Sequence, residues 1–211
     1  MDISYQIKQI YNNIATDFDI SRVRIWPCVS DFLNTFSANA KILDNGCGNG
    51  KNMLYRPDLN FKGIDLSEKL VEISKSKGLD VINGTMTALP YESNYFDGII
   101  TVASYHHLST NDERSQAICE MYRVLKTGGR ALIVVWAMEQ PEDSTFKFTK
   151  SDELVRWKAN KSNKSNEEIY YRYYHIYSKG ELESEILKFK PEFKIAQVGW
   201  QKGNWFIQLE K

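Results

Sequence analysis

The chain reads as a doubly wound α/β domain, and three features point there. Short apolar runs recur with helical segments between them, continuous or nearly so, as strands buried on both faces require. A glycine-rich turn, NGCGNG at 45–50, follows the first run directly. The last two runs are separated by only QKG, so the sheet closes on an antiparallel hairpin.

Two helical segments, 4–15 and 26–36, precede the first strand, KILDN at 41–45. FKGID (61–65) is the second strand; Ser67 then starts a helix through 77 that Gly78 stops. LDVIN (79–83) is short. FDGIITV (96–102) is followed by a helix that Asn111 or Asp112 starts and Gly128-Gly129 ends, and RALIVVW (130–136) is the fifth strand. FKIAQVGW (193–200) and NWFIQLE (204–210) form the hairpin, with Gly203 and Asn204 making its turn. Seven strands result, mostly parallel, and a ligand belongs at their carboxyl ends.

Composition frames what this domain can be. With 211 residues, 42% hydrophobic and 26% charged, residues 1–211 are one globular domain. The formal net charge of zero does not announce a strongly basic nucleic-acid binder, so any basic surface must be local. No run approaches the ~18 apolar residues of a membrane span, and the start lacks a signal-peptide pattern. Cys28, Cys47 and Cys119 form no metal spacing and are expected reduced, in the cytosol. Residues 142–169 contain the polar run KANKSNKSN and read as a mobile basic loop.

The turn does not fit a dinucleotide. Gly46, Gly48 and Gly50 make G-x-G-x-G, with Lys51 following where that fingerprint wants its third glycine. Asp44, just ahead, would crowd a pyrophosphate and suits a cationic ligand instead. S-adenosylmethionine fits: it has an ammonium, a sulfonium and an adenosine, and no phosphate. Asp65 follows Asp44 by 21 residues and ends the second strand, the place for an acid that accepts both ribose hydroxyls. Asn49 in the loop, Leu66 beside Asp65, and Ala103 after the fourth strand join the cofactor set. Thr85 accepts one hydrogen bond from the adenine amino group, with Met86 against the ring.

YNNIATDFDISRVRIWPCVSDFL, DNGCGNGK, HHLST, RVLKTGGRALIVVWAMEQ, YYRYYHIYSKGELE and QKGNWFIQLEK together resemble the wobble-uridine tRNA methyltransferases that esterify 5-carboxymethyluridine. That family includes the methyltransferase module fused to an AlkB-like dioxygenase in animals. VWAMEQ, RYYH and KGNW are the specific part of the match; Ser21, Asn45, Thr85 and a short 142–169 region depart from the usual pattern. The resemblance implies a class I methyltransferase fold, Rossmann-like, with the N-terminal helices capping the cofactor.

It also implies a carboxylate acceptor. Such a group resembles Asp, with a reference pKa of about 3.9, so it is ionised at neutral pH and needs no general base. What it needs is orientation, which Arg supplies as a fork of donors. Arg22 and Arg172 are the candidates. His106 and His107 sit at the carboxyl edge of the fourth strand, and Trp136 walls the acceptor from the fifth. Tyr174 and His175, in the YYRYYHIY cluster, and Asn204 are placed on the substrate side; alternation there puts Tyr171, Tyr173, His175 and Tyr177 on one face of an extended stretch. Lys147, Lys150, Lys158, Lys161 and Lys164 are candidates for tRNA phosphates.

In this class the third strand lies at a sheet edge, and Val81 and Ile82 carry no guarding lysine. The resemblance implies a small zinc-binding activator protein that adds a strand there. Two rival readings remain: a small-molecule methyltransferase acting on a carboxylate or quinone-like ring, and a non-catalytic RNA-binding or scaffold protein.

Overall fold

The computed structural model describes residues 2–157 and 169–211. Helices α1 (Ile3–Ser21) and α2 (Pro27–Leu33) lead into β1 (Lys41–Asn45), β2 (Asn60–Asp65), α3 (Glu68–Ser76), β3 (Val81–Asn83), β4 (Phe96–Val102), α4 (Asn111–Val124) and β5 (Leu125–Trp136). A separate hairpin, β6 (Asp152–Trp157) and β7 (Tyr170–His175), precedes α5 (Glu181–Phe189), β8 (Lys194–Gln201) and β9 (Asn204–Glu210). The seven-stranded sheet runs β3-β2-β1-β4-β5-β9-β8. Its first five strands are parallel, and β9 pairs antiparallel with both β5 and β8.

Alternation along each strand splits the core into two layers. Leu43, Ile99 and Ile133 face α4 and α5, while Ile42, Ile100 and Leu132 face α2 and α3. The order reverses between β1 and β4, so the crevice at their carboxyl ends is where a doubly wound sheet takes a ligand.

Several expected boundaries move. α1 starts at an Asp2 cap that accepts from the Ser4 N–H (2.9 Å) and continues to Ser21, not 15, its last turns held by Phe18 against Tyr11 and by Asp19, which accepts from Asn49 and Lys77. α4 ends at Val124, well before Gly128, because Leu125 already pairs with Phe96. The next register pair is Gly98 with Arg130, so the residues between bulge out, with Gly128 left-handed at φ 76°. The β8–β9 turn is made by Lys202 and Gly203, at φ 48° and 78°, and Asn204 opens β9.

The segment 142–169, expected to be a mobile loop, contains β6. Its even spacing buries Val155 and Trp157, and register pairs run from Asp152–His175 to Trp157–Tyr170. Residues 158–168, with Lys158, Lys161 and Lys164, lie outside the described residues. Among the described residues no helix is long and apolar enough to cross a membrane.

Candidate active site

A cavity of about 470 Å³ opens at the carboxyl ends of β1, β2, β4 and β5, roofed by α1 and closed on one side by β7. That volume suits a single small ligand. The glycine loop forms its floor. Gly46 has φ 82°, and a Cβ there would collide with the Ser104 side chain. Gly48 has φ 56° and presses on Phe18 of α1, where a Cβ would lie 3.1 Å from the ring. Only residues without a side chain let this backbone turn left-handed and still meet both walls.

α1 is fastened over the loop by polar contacts. Asn49 Nδ2 donates to Asp19 Oδ1 (2.8 Å) and to the Arg22 carbonyl (3.0 Å). Lys77 Nζ donates to the same Asp19 oxygen (2.6 Å) and to the Asn49 carbonyl (2.9 Å). Further along, Asn12 Oδ1 accepts from Ser67 Oγ at 2.7 Å and Asn12 Nδ2 donates to Glu68 at 2.9 Å, tying α1 to the start of α3.

Asp65 ends β2 and lines the cavity. Its Oδ2 accepts from the Gly48 N–H (2.8 Å) and its Oδ1 from the Ser67 N–H (2.9 Å). A carboxylate offers about four acceptor sites, so capacity remains for two hydroxyls. Burial raises its pKa, and the two amides pull the other way. Asp44 is different. It is fully buried, does not line the cavity, and burial pushes its pKa to about 7. Oδ2 accepts from Asn52 Nδ2 (3.4 Å), and Oδ1 has no donor among the described residues. Its one side-chain partner, Asn52, does line the cavity, so Asp44 stands behind the site and not in it, where a direct grip on the ligand was expected.

At the far end stands a chain of hydrogen bonds. Arg172 Nη1 donates to Tyr11 Oη (3.3 Å), Tyr11 Oη meets His107 Nε2 (2.8 Å), and His107 Nδ1 meets the Tyr173 carbonyl (2.7 Å). A carbonyl only accepts, so Nδ1 carries the proton and Tyr11 donates to Nε2. Burial lowers the His107 pKa to about 3, so the ring is neutral. Arg172 is 4% exposed. Its guanidinium stacks on Trp157 (4.8 Å) and Tyr174 (5.1 Å), its Nε has no partner, and no carboxylate among the described residues pairs with it. Arg22 approaches the same Trp157 ring at 5.5 Å. Trp136 stacks on Tyr174 with centroids 4.4 Å apart.

A family model described as a methyltransferase domain matches residues 43–133. The tRNA (carboxymethyluridine(34)-5-O)-methyltransferase of Schizosaccharomyces pombe is 35% identical over 231 aligned positions, covering 100% of both chains. This chain belongs to that family. A relative of the same name from Arabidopsis thaliana is 41% identical over 65% of this chain and 34% of its own length. A solved S-adenosylmethionine-dependent methyltransferase from Clostridium acetobutylicum superposes with a TM-score of 0.71 at 15% identity, covering 95% of this chain and 98% of the other, and shares the fold. The protein is thus a methyltransferase whose donor is S-adenosylmethionine, and the cradle fits that donor: a phosphate-free floor, an acid at the end of β2 with acceptor capacity to spare, and an orphaned buried carboxylate oxygen behind the loop.

Of the residues expected at the methyltransferase site, Gly46, Gly48, Asn49, Asp65, Leu66, Thr85, Met86 and Ala103 line the cavity, with Arg22, His107, Trp136, Arg172 and Tyr174. Ala103 holds a left-handed φ of 54° at the end of β4, its N–H donating to Val134 (2.9 Å), an uncommon conformation of the kind that gathers at ligand sites.

Others are corrected. Gly50 turns away from the cavity toward Leu79. His106 does not reach the acceptor: it is fully buried, its Nδ1 accepts the Trp136 N–H (3.1 Å), and burial holds its pKa well below the usual range. His175 is pinned between Asp152 (2.9 Å) and Glu181 (2.8 Å), because odd positions of β7 face away from the cavity that Arg172 and Tyr174 face. Asn204 spends its Nδ2 on the carbonyls of its own turn. Lys147 and Lys150 are not among the corrections: both are exposed, as contact with a phosphate requires, and Lys147 Nζ lies against the Pro141 and Glu142 carbonyls.

Tyr11 and Trp157 were missed. Tyr11 opens the very motif YNNIA that carries the resemblance, so its signal was present; Trp157 adjoins the polar run and had none.

Proposed function

We propose that this methyltransferase esterifies the carboxylate of 5-carboxymethyluridine at position 34 of tRNA. The observation that carries the reading is Arg172: a buried guanidinium, lining the cavity and lacking any carboxylate among the described residues, is a site for an anion. S-adenosylmethionine supplies a methyl carbon made electrophilic by its sulfonium. The acceptor carboxylate is ionised without help, and neutral His107 orients Tyr11, and through it Arg172, without removing a proton. Arg172 holds one acceptor oxygen and leaves the other free to attack, while Trp136 and Tyr174 exclude water.

Methyl transfer measured on tRNA bearing the carboxymethyl, the carboxamide or the unmodified wobble uridine tests this. Only the carboxymethyl form should accept label. Transfer of similar size to the carboxamide would remove the anion from the account.

For partners, tRNA is consistent with the family. The small zinc-binding activator is our further reading, supported by β3, which hydrogen-bonds to β2 and ends the sheet. Such an edge invites an added strand. Co-expression with the activator should raise yield and cofactor affinity; no change in either would count against it.

A further inference from the structure

A second groove adjoins the first and shares Arg22, Val23, Asn49 and Lys51 with it. Its walls carry an exposed apolar set. Val23 and Ile20 are 73% and 66% exposed, the most exposed large apolar side chains among the described residues, and Leu54 (51%) and Tyr55 (38%) line the same groove. Tyr55 is steadied by Asn34 Nδ2, which donates to its hydroxyl at 3.1 Å. An apolar set at the mouth of a site is a binding feature more than an accident of composition.

Charge narrows the occupant. Lys77 is paired with Asp19, but Arg22, Arg24 and Lys51 have no carboxylate within ion-pair distance among the described residues. Lys51 Nζ donates to the Arg24 carbonyl (3.1 Å) and lies 5.5 Å from the Trp26 ring, so the ammonium is held at the junction of the two grooves. Burial first and Arg22 second lower its pKa, with buried Asp44 offsetting only part; a bound anion would relieve that repulsion.

We propose that this groove is a nucleotide subsite, in which the base flanking the reacting nucleotide lies on Ile20, Val23, Leu54 and Tyr55 while Arg22, Arg24 and Lys51 meet the phosphate between the two. The proposal rests on the tRNA reading above and names how the loop is held. Single-stranded RNA is recognised by this pairing of stacking surface and backbone cations. Continuity with the acceptor cavity makes the flanking nucleotide, and not a separate partner, the occupant.

The test uses the full chain and anticodon stem-loop RNAs carrying the carboxymethylated wobble uridine, with or without an abasic site on either side of it. On the wild type, one of the two abasic sites should weaken binding about tenfold. Ile20→Ser with Leu54→Ser should weaken the intact RNA by a similar factor and make that abasic site indifferent, with S-adenosylhomocysteine binding by calorimetry unchanged. Lys51→Ala should lower the salt slope of RNA binding by about one. Equal sensitivity of wild type and double variant to the abasic site, or unchanged RNA binding by the variant, overturns the subsite. Loss of S-adenosylhomocysteine binding by the double variant overturns it too, since the groove would then belong to the cofactor. Methyl transfer by the wild type reports separately on the reaction, so either idea can fail alone.

Discussion

Arg172 lines the site and Asp44 is buried behind it, and each carries a charge whose setting can be tested. Arg172 is a buried cation with an unpartnered Nε, and on the reading proposed above its replacement would remove charged hydrogen bonds to the acceptor. Arg172→Lys keeps the charge and loses the fork, so kcat/KM for tRNA should fall about ten- to a hundredfold while S-adenosylhomocysteine affinity stays within a few-fold. Asp44 predicts a pH effect in the ligand-free protein. Its folded pKa, about 7, lies above the ordinary 3.8, so between these values the folded state binds the extra proton and stability falls as pH rises. His107 works the other way: its folded pKa of about 3 lies below 6.5, so its contribution is complete above pH 6.5 and is lost as pH falls. The two overlap between pH 4 and 6.5, so the readout is the difference in melting temperature between wild type and Asp44→Asn. That difference should shift against the wild type as pH rises toward about 7 and level off beyond; a flat difference would show Asp44 to be ionised throughout.

Elements decide which of these residues meet. The β6–β7 hairpin, part of it inside a segment whose composition reads as loop, brings the Trp157 ring within 5.5 Å of the Arg22 guanidinium and 4.8 Å of the Arg172 guanidinium. Trp157→Ala should lower kcat more than it raises KM for cofactor, and Trp157→Phe should recover part of the loss, since a ring face remains for the cations. Equal loss in both variants would mean the indole only fills space. The glycine loop is the more sterically confined element, with side chains close to Gly46, Gly48 and Gly50. Gly46→Ala places a Cβ against Ser104 at a φ of 82°, so the loop must move, and both stability and donor binding should fall. The loop was readable from sequence because its chemistry is local: spacing alone says where the backbone must turn. The alternation in YYRYYH was readable too, but not which face of the strand met the site. Arg172 and Tyr174 turned in, and His175 turned out to Asp152 and Glu181.

Across the molecule, α1, the glycine loop and the ends of β2 and β4 line one cavity, so a donor bound there should stabilise the whole fold. S-adenosylhomocysteine at about a hundred times its Kd adds about 2.7 kcal/mol, which for a chain of this size raises Tm by roughly 5–10 °C. Asp65→Ala should remove most of that shift. By itself the sequence determined the fold class, the donor and the acid at the end of β2, since strands, turns and their spacing are written in neighbouring residues. Only the tertiary structure decided which side chains meet at the far end of the cavity. Tyr11, His107 and Arg172 come from three distant segments, and their hydrogen-bonded chain exists because α1 packs across β7 and the end of β4. The same packing buried His106 and drew Asp44 behind the loop: burial is a property of everything that surrounds a residue, and no stretch of chain carries it alone.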